Sequence, residues 1–200
     1  VRVYISDTVK NPAFEVQKNI WAAPQYVIDI KAPDTAKFVE LIERKGAYMQ
    51  KVFKEAERRR TTKSYRRYED PEIPKTLAKD HHLYMTVPKG YSIAMNKKNF
   101  IWILKEKGNE DFYQSINIYY QDYLDTSDFS KSHLLYMREK FMKNIEGAES
   151  GTRMITEPML PVSYDKISFN ERYAVKMRGL WRKTGNIIMG GPFISYSFVD

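Results

Sequence analysis

The sequence contains no cysteine and only three histidines. Without thiols, disulfide bonds, thiol catalysis and thiolate metal sites are all excluded. His81 and His82 are adjacent, so on a strand they would point to opposite faces, and His133 lies in a distant segment. The sequence therefore predicts no metal site, and no motif in it indicates a cofactor.

Long apolar runs are also missing. The longest uncharged, mostly apolar stretch covers residues 185–199 and includes Gly-Gly-Pro, whereas a membrane-spanning helix needs roughly 18–20 apolar residues. The chain starts at Val1 within a strand pattern and lacks the basic and apolar regions of a signal peptide. Either a signal has been removed or the chain begins inside a longer protein. The strand pattern favours the second interpretation.

The third absence is a recognisable catalytic set. The sequence has no Gly-x-Ser-x-Gly motif, a Cys/His pair is impossible, and nothing selects a pair of carboxylates. Asp122, Asp125 and Asp128 have a spacing that resembles a calcium loop, but the central glycine and the terminal glutamate are absent. We expect these three residues to serve in a turn and as helix caps, and we predict no catalytic residues.

What the chain does contain indicates a folded, basic protein. Apolar residues make up 42% and aromatic residues 14%, and the 15 tyrosines are typical of half-buried sheet surfaces. The net charge is +8, and a basic run includes Arg59, Lys63 and Arg66 on one helix face. The run has two interpretations: contacts to phosphates, in nucleic acid or in lipid headgroups, or a solvated helix end whose cations suit the helix dipole. The second is favoured, and nucleic acid is not an expected partner, because no nucleic-acid motif accompanies the run.

Hydrophobic periodicity predicts the order of the elements. Strands are expected over residues 1–9 and 20–30, followed by a helix that Asp34 caps and that continues to about residue 68. A short helix is expected over residues 72–80. The later strands are predicted over residues 83–87, 91–95, 99–106, 114–123, 153–157, 164–169, 171–182 and 187–199.

Between these strands, Ser130 is predicted to cap one further helix. Its inward stripe is expected to consist of Leu134, Met137, Phe141 and Ile145. The basic residues of the same helix are expected to face the solvent; they are Arg138, Lys140 and Lys143.

This order predicts an α+β fold of mainly antiparallel sheets, with each helix packed on one face of a sheet. The hydrophobic period changes near residues 70–80, which predicts two domains. The first is a β-β-α unit over residues 1–75. Because two strands and one helix make a poor core alone, we expect either that this unit is truncated at its N terminus or that the second unit supplies strands to it. The second is an antiparallel α+β domain over residues 76–200.

The glycine-rich stretch over residues 177–198 is the most distinctive local feature. A phosphate-binding loop needs glycines between a strand and a helix, but here a second strand follows. We therefore predict the last hairpin of a sheet, with a glycine-permitted bulge or bend at Gly190 and Gly191 where a backbone or ligand can approach closely. Arg178 and Trp181 are expected on opposite faces beside it, with Arg178 as an anion contact.

Several segments together resemble an uncharacterised Bacteroidetes lipoprotein family, domain of unknown function 4837. They are KNIWAAPQ, VPKGYSIA, NFIWI, INIYYQDY, MREKFMKNIEGAESGTRMITE and MRGLWRKTGNIIMGGPFIS. The resemblance covers essentially the whole chain. It implies a location in the cell envelope, outside the cytoplasm, with a lipid anchor on sequence upstream of this chain. It implies no activity and transfers no functional residue.

The strand-helix-strand order of the second domain is also similar to the PsbP/Mog1-like α/β/α sandwich, a likeness of fold that carries no function.

The resulting hypothesis is a non-catalytic envelope lipoprotein module that binds or scaffolds an unknown envelope protein or glycan, attached to the membrane only through its upstream anchor. The candidate binding residues are Arg178, Trp181, Gly190, Gly191, Arg59, Lys63 and Arg66. One alternative is an envelope enzyme that acts on a glycan or peptide. The other is anionic-polymer binding through the basic run over residues 58–67.

Overall fold

The computed structural model describes residues 1–106, 113–146, 151–185 and 189–200. Within these ranges it contains ten strands, three α-helices and one short 3-10 helix. The helices are α1 (Thr35–Arg67), α2 (Ile73–His81), the 3-10 turn Thr126–Phe129 and α3 (Lys131–Met142). The strands are β1 (Arg2–Ile5), β2 (Ala13–Lys18), β3 (Tyr26–Ala32), β4 (Ser92–Lys97), β5 (Phe100–Glu106), β6 (Tyr113–Tyr119), β7 (Met154–Thr156), β8 (Ser163–Phe169), β9 (Arg172–Lys183) and β10 (Gly190–Phe198).

The strands form three sheets, and the predicted α+β class is confirmed. The orders are β1-β3-β2, β4-β5-β6 and β10-β9-β7, with β8 also paired to β9. The pairs β2·β3, β7·β9, β8·β9 and β9·β10 are antiparallel, and β1·β3 is parallel. α1 packs on the first sheet and α3 on the last, each by one apolar face.

The chain divides into two compact units. One comprises Val1–Ser92 and Leu104–Gln114, and the other comprises Ile93–Ile103 and Ser115–Asp200. The predicted boundary at residues 75/76 lies inside α2. The division into domains over residues 1–75 and 76–200 stays a prediction.

In the first unit, β3 is the central strand, and Val27, Ile28, Asp29 and Ile30 are all buried. The Arg2 guanidinium of β1 donates hydrogen bonds to the buried Asp29 carboxylate and holds its pKa below the usual range. β2 was not predicted, because its short alternating pattern is bounded by polar residues and Pro12 and resembles a loop. Its apolar side chains complete the same core as α1.

α1 begins as predicted at Asp34, whose side chain accepts a hydrogen bond from the Lys37 amide at 2.8 Å. Its Leu41 is buried against Ile28 and Ile30 of β3. At 33 residues the helix is about 50 Å long. Beyond the last contacts of its apolar stripe, nearly every side chain from residue 57 to 67 is exposed.

The strand predicted over residues 83–87 is not formed. The segment instead pairs locally with the end of α1: the Asp70 amide donates to the Val87 carbonyl at 2.7 Å, and the Lys89 amide donates to the Tyr68 carbonyl at 2.8 Å. Pro88 lacks an amide donor, which prevents a continuous ladder. The later strands β4 to β10 overlap the predicted segments. β6 ends at Tyr119, four residues before the predicted end, and residues 187–188 of the last predicted strand lie outside the described residues.

In the second unit, β9 is the longest strand and organises its sheet. β10 pairs along one side of it, from Gly190 opposite Arg182 to Phe198 opposite Ala174. β8 and β7 pair along the other side. α3 covers one face of this sheet, where Leu134 and Leu135 pack against Val175 and Met177.

Candidate functional site

The two faces of β9 have opposite character. Val175 and Met177 are buried on the face toward α3, which we call the inner face, and Gly179 and Trp181 continue it. Their neighbours along the strand form the outer face, on which Arg178 and Leu180 are exposed. Since strand side chains alternate, the prediction that Arg178 and Trp181 lie on opposite faces agrees with this alternation.

Arg138 lies between α3 and the inner face, and the expectation that it faces the solvent is wrong. Its side chain is only 5% exposed. Its guanidinium carbon lies 4.2 Å from the centre of the Phe193 ring, and Nη1 donates to Thr156 Oγ1 at 2.9 Å. Burial lowers the pKa of Arg138, and the carboxylate of Glu139 opposes that shift.

Glu139 joins this cluster from the same helix. Its Oε1 accepts hydrogen bonds from the amide and the hydroxyl of Thr156, both at 2.7 Å, and lies 3.4 Å from Arg138 Nη1. Arg138 and Glu139 therefore connect α3 to β7 through one threonine. Because the donors and acceptors satisfy one another, the geometry indicates a structural connection between helix and sheet.

The periodicity of α3 contained a signal for Arg138. Residues 134, 137, 138, 141, 142 and 145 follow the three- and four-residue steps of an inward helix face, so position 138 belongs to that stripe. Solvent exposure was expected only because the residue is an arginine. Arg138 was misplaced because no sequence pattern reveals a threonine and a phenylalanine brought opposite it by distant strands.

Gly179 provides the space that Phe193 needs above β9. A Cβ at Gly179 would lie 2.8 Å from Phe193 Cε1 and 2.9 Å from Val162 Cγ2. The two residues are register partners on neighbouring strands. The Phe193 ring that supports Arg138 is thus seated on a position where only glycine fits.

Gly190 and Gly191 do not form the predicted bulge or bend. Their register against Arg182 and Trp181 continues without interruption into the rest of β10. The predicted close approach is present, since a Cβ at Gly190 would lie 2.7 Å from the Trp181 carbonyl oxygen. At Gly191 a Cβ would lie 3.2 Å from the Trp181 indole nitrogen. The glycines therefore accommodate Trp181 and the β9 backbone.

The outer face of β8, β9 and β10 carries exposed apolar side chains. On β10, Ile194 is 60% exposed, Tyr196 47% and Phe198 41%. The rings of Tyr196 and Phe198 contact Phe169 of β8, with centroids 5.3 and 5.4 Å apart. We refer to Phe169, Leu180, Ile194, Tyr196 and Phe198 as the outer apolar patch.

The outward cations of β9 lie between the apolar residues of β8 and those of β10, and Lys176 is the register partner of Tyr196. Arg172 pairs with Asp200 at 2.8 Å, and Arg182 with Glu157 at 3.4 Å. Arg178 is exposed beside Ile194, its register partner. No ion pair of Arg178 is present among the described residues. Arg178 is therefore available to bind an anion from outside the sheet.

The predicted basic residues Arg59, Lys63 and Arg66 all lie exposed on the second half of α1. Arg59 shares the Glu55 carboxylate with Arg58, at 2.8 and 2.9 Å, and these hydrogen bonds lower the pKa of Glu55 to about 2. A shallow depression of about 510 Å³ lies on this helix. It is lined by Ala47, Gln50, Lys51, Lys54, Glu55, Arg58 and Arg59.

The remaining polar candidates have local structural roles. Asp125 caps the 3-10 turn by accepting from the Ser127 amide, and Asp128 accepts from the Leu124 amide. His81 is buried in α2, and His133 Nε2 lies 3.5 Å from Asp128. Across the described ranges, no three His, Asp or Glu residues are grouped so as to hold a metal ion. None of the helices described there is both long and apolar enough to cross a membrane.

Comparison with known families gives two matches. A family model described as "Domain of unknown function (DUF4837)" matches residues 70–200, and one described as "Domain of unknown function (DUF8532)" matches residues 1–66. The first match begins after the segment KNIWAAPQ, so it does not extend over the whole chain as the sequence motifs indicated. No curated protein and no solved structure matches the chain, and the PsbP/Mog1-like likeness stays a prediction.

Proposed function

The chain belongs to the DUF4837 family, and from this premise we propose that it is a non-catalytic binding module of the cell envelope that docks a protein partner on its outer apolar patch. The observation that carries the proposal is the exposure of Ile194, Tyr196 and Phe198 side by side on a sheet face that α3 leaves open.

A solvated sheet face normally alternates with polar side chains. On β10 the outward positions are Pro192, Ile194, Tyr196 and Phe198, without one charged residue among them. Contiguous apolar surface bordered by charges is typical of an interaction site, and Tyr, Phe and Arg are enriched in such sites. The composition of the patch and of its neighbouring cations therefore supports binding.

The expected partner is a protein segment that carries carboxylates beside apolar side chains. Arg178 lies beside Ile194 of the patch without an ion pair among the described residues, and a carboxylate from the partner would complement it. Arg172 and Arg182 already have carboxylate partners within the chain. Arg178 is thus the residue at which we expect electrostatic selection of the partner.

The envelope location is part of the same proposal and rests on the lipoprotein resemblance of the sequence motifs. We expect the full-length protein to be lipidated upstream of this chain and to fractionate with membranes. Recovery of the full-length protein in the cytoplasmic fraction would contradict the envelope location. It would not contradict the docking surface, which has its own test.

Site-specific photo-cross-linking tests the docking surface. A photoreactive phenylalanine replaces Tyr196 in the full-length lipidated protein, and the matched control places it at Tyr136, an exposed tyrosine of α3. We expect one protein adduct from position 196 and none from position 136. Arg178→Glu is expected to remove the adduct, whereas Lys166→Glu, an exposed charge reversal on β8, is expected to leave it.

Two results would contradict this proposal. One is an absence of adducts at position 196 while position 136 cross-links. The other is an adduct whose added mass is lost on glycosidase treatment, which would assign the patch to a glycan. The alternative of a glycan- or peptide-acting enzyme has no specific support from the described residues.

A further inference from the structure

The net positive charge of the chain is confined to one segment of one helix. Residues 44–67 contain ten Lys and Arg and two Glu, which gives +8. The whole chain has 33 Lys and Arg and 25 Asp and Glu, which also gives +8. The other residues thus hold 23 of each sign and carry no net charge. Such a concentration is an electrostatic footprint of an anionic partner.

Few of these cations are neutralised within the chain. Arg58 and Arg59 share Glu55, and Arg60 pairs with Glu57. Among the described residues, no ion pair engages the other cations of the segment. They are Arg44, Lys45, Lys51, Lys54, Lys63, Arg66 and Arg67, and all are exposed.

Five of the cations follow one outward face of α1, namely Arg44, Lys51, Lys54, Arg58 and Arg66. Lys45, Arg60, Lys63 and Arg67 are instead in line with the apolar stripe of the helix. Lys51, Lys54 and Arg58 are three and four residues apart and line the same shallow depression, so they share one outward helix face. From residue 44 to 67 the helix is about 36 Å long. Tyr48 and Tyr65 are half-exposed within this stretch. Tyrosine suits a boundary between water and lipid, because its ring is apolar and its hydroxyl is polar.

We propose that this outward face of α1 binds the phosphate-bearing surface of an anionic lipid leaflet. The apolar face of the first half of the helix is occupied by Ile28 and Ile30 of its own sheet. A DNA major groove takes in a whole helix, and the sheet prevents this along the first half of α1, where Lys51 and Lys54 lie. A planar surface needs access only to the outward face, which carries both lysines.

The inference is independent of the outer apolar patch, since no residue is shared. It assigns a function to Lys51, Lys54 and Arg58, of which the first two were not among the sequence-predicted candidates. A membrane-facing helix would orient the protein at a lipid surface by charge, without inserting a segment into it.

Vesicle co-sedimentation of the 200-residue chain tests this assignment. The probe vesicles are phosphatidylglycerol and phosphatidylcholine in equal parts, compared with phosphatidylcholine alone. We expect binding only to the anionic vesicles, and loss of that binding at high salt. The triple variant Lys51→Gln, Lys54→Gln, Arg58→Gln is expected to bind roughly 100-fold more weakly, at about fivefold for each cation removed.

The matched control removes three exposed lysines elsewhere, as Lys10→Gln, Lys98→Gln and Lys166→Gln. It has the same net charge as the triple variant and is expected to bind within about twofold of the unchanged chain. Equal losses in both variants would mean that only net charge matters and would overturn the assignment to α1. Tighter binding to polyuridylate than to anionic vesicles, at equal phosphate concentration, would assign the face to nucleic acid and overturn the lipid proposal.

Discussion

At the scale of single residues, Gly179 is the position where one methyl group has the largest expected effect. Its Cβ would lie 2.8 Å from the Phe193 ring and 2.9 Å from Val162. We expect Gly179→Ala to lower the free energy of unfolding by about 1–3 kcal/mol, since the added group overpacks a filled site. Urea denaturation followed by circular dichroism measures the change.

Gly46 supplies the matched control for this prediction. It lies in α1, and a Cβ there would have no atom within 4 Å. Gly46→Ala is expected to raise the free energy of unfolding by up to about 1 kcal/mol, because alanine is the better helix former. If both substitutions destabilise the protein equally, the contact with Phe193 is not the cause.

Two substitutions of Arg138 can show whether its packing or its charge stabilises the protein. Arg138→Ala removes the contact with Phe193 and the hydrogen bond to Thr156, and we expect a loss of about 2–4 kcal/mol. Arg138→Met keeps most of the volume and avoids the cost of burying a guanidinium, so its loss is expected to stay within about 1 kcal/mol. Equal losses in the two variants, measured by urea denaturation, would show that the charge itself is needed.

At the scale of elements, α1 gives a pH prediction. The Arg58 and Arg59 hydrogen bonds lower the pKa of Glu55 from 4.5 to about 2. A lowered folded-state pKa means that the stabilisation is complete above pH 4.5 and is lost as the pH falls toward 2. In a carboxyl carbon-13 titration we expect a Glu55 midpoint near 2 and, in the Arg58→Gln, Arg59→Gln double variant, a midpoint nearer 4.5.

A Glu55 midpoint near 4.5 in the unchanged chain would show that these two arginines are not engaged. They would then be free to contact an external anion, and the cationic face of α1 would be larger than the ion pairs indicate. Glu40 of the same helix is a control, because Lys37 donates to it at 2.8 Å and lowers its pKa independently of Arg58 and Arg59. Its midpoint is expected to be unchanged in the double variant.

Elements with long, regular periodicity were predictable from the sequence, and short or irregular ones were not. The extent of α1 followed from its apolar stripe and from Asp34, and the cap of α3 followed from Ser130. β2 was missed because an edge strand of six residues carries only two strongly apolar side chains. Residues 83–87 alternate like a strand, but the end of this segment forms backbone hydrogen bonds with Tyr68 and Asp70 and joins no sheet. No local sequence pattern predicts those hydrogen bonds.

The candidate site was only partly predictable for the same reason. The alternation of β9 placed Arg178 and Trp181 on opposite faces. Gly190 and Gly191 correctly predicted that another group lies close to the backbone. The sequence could not show whether these glycines form a bend or a regular strand packed against Trp181. The exposure of the outer apolar patch depends on which face of the sheet α3 covers. Tertiary packing determines that face, and no local sequence pattern predicts it.

At the scale of the whole molecule, the two proposed surfaces have different compositions and share no residue. The cations of α1 supply the net charge, while the outer apolar patch lies on β8, β9 and β10. If both proposals hold, the protein binds a protein partner through the outer apolar patch and an anionic lipid surface through α1. The photo-cross-linking and vesicle experiments address these surfaces separately, so one proposal can fail without the other.

The position of the domain boundary can be tested with fragments that begin at residue 70 or at residue 76. A cut at residues 75/76 divides α2 and removes Ile73, which is buried, together with Asp70, whose side chain accepts from the Glu72 and Ile73 amides. A fragment of residues 70–200 retains both. We expect it to be more stable than residues 76–200 by about 2 kcal/mol or more, since it keeps a buried side chain and the carboxylate that accepts from the amides at the start of α2.

Thermal unfolding by circular dichroism compares the two fragments, with Asp70→Ala in the longer one as the matched control. That substitution should cost about 1 kcal/mol and so account for only part of the difference. Equal midpoints for the two fragments would show that the first turn of α2 contributes nothing without residues 1–69. If neither fragment unfolds cooperatively, the chain folds as one unit, since Leu104–Gln114 clusters with Val1–Ser92 and that part is then indispensable.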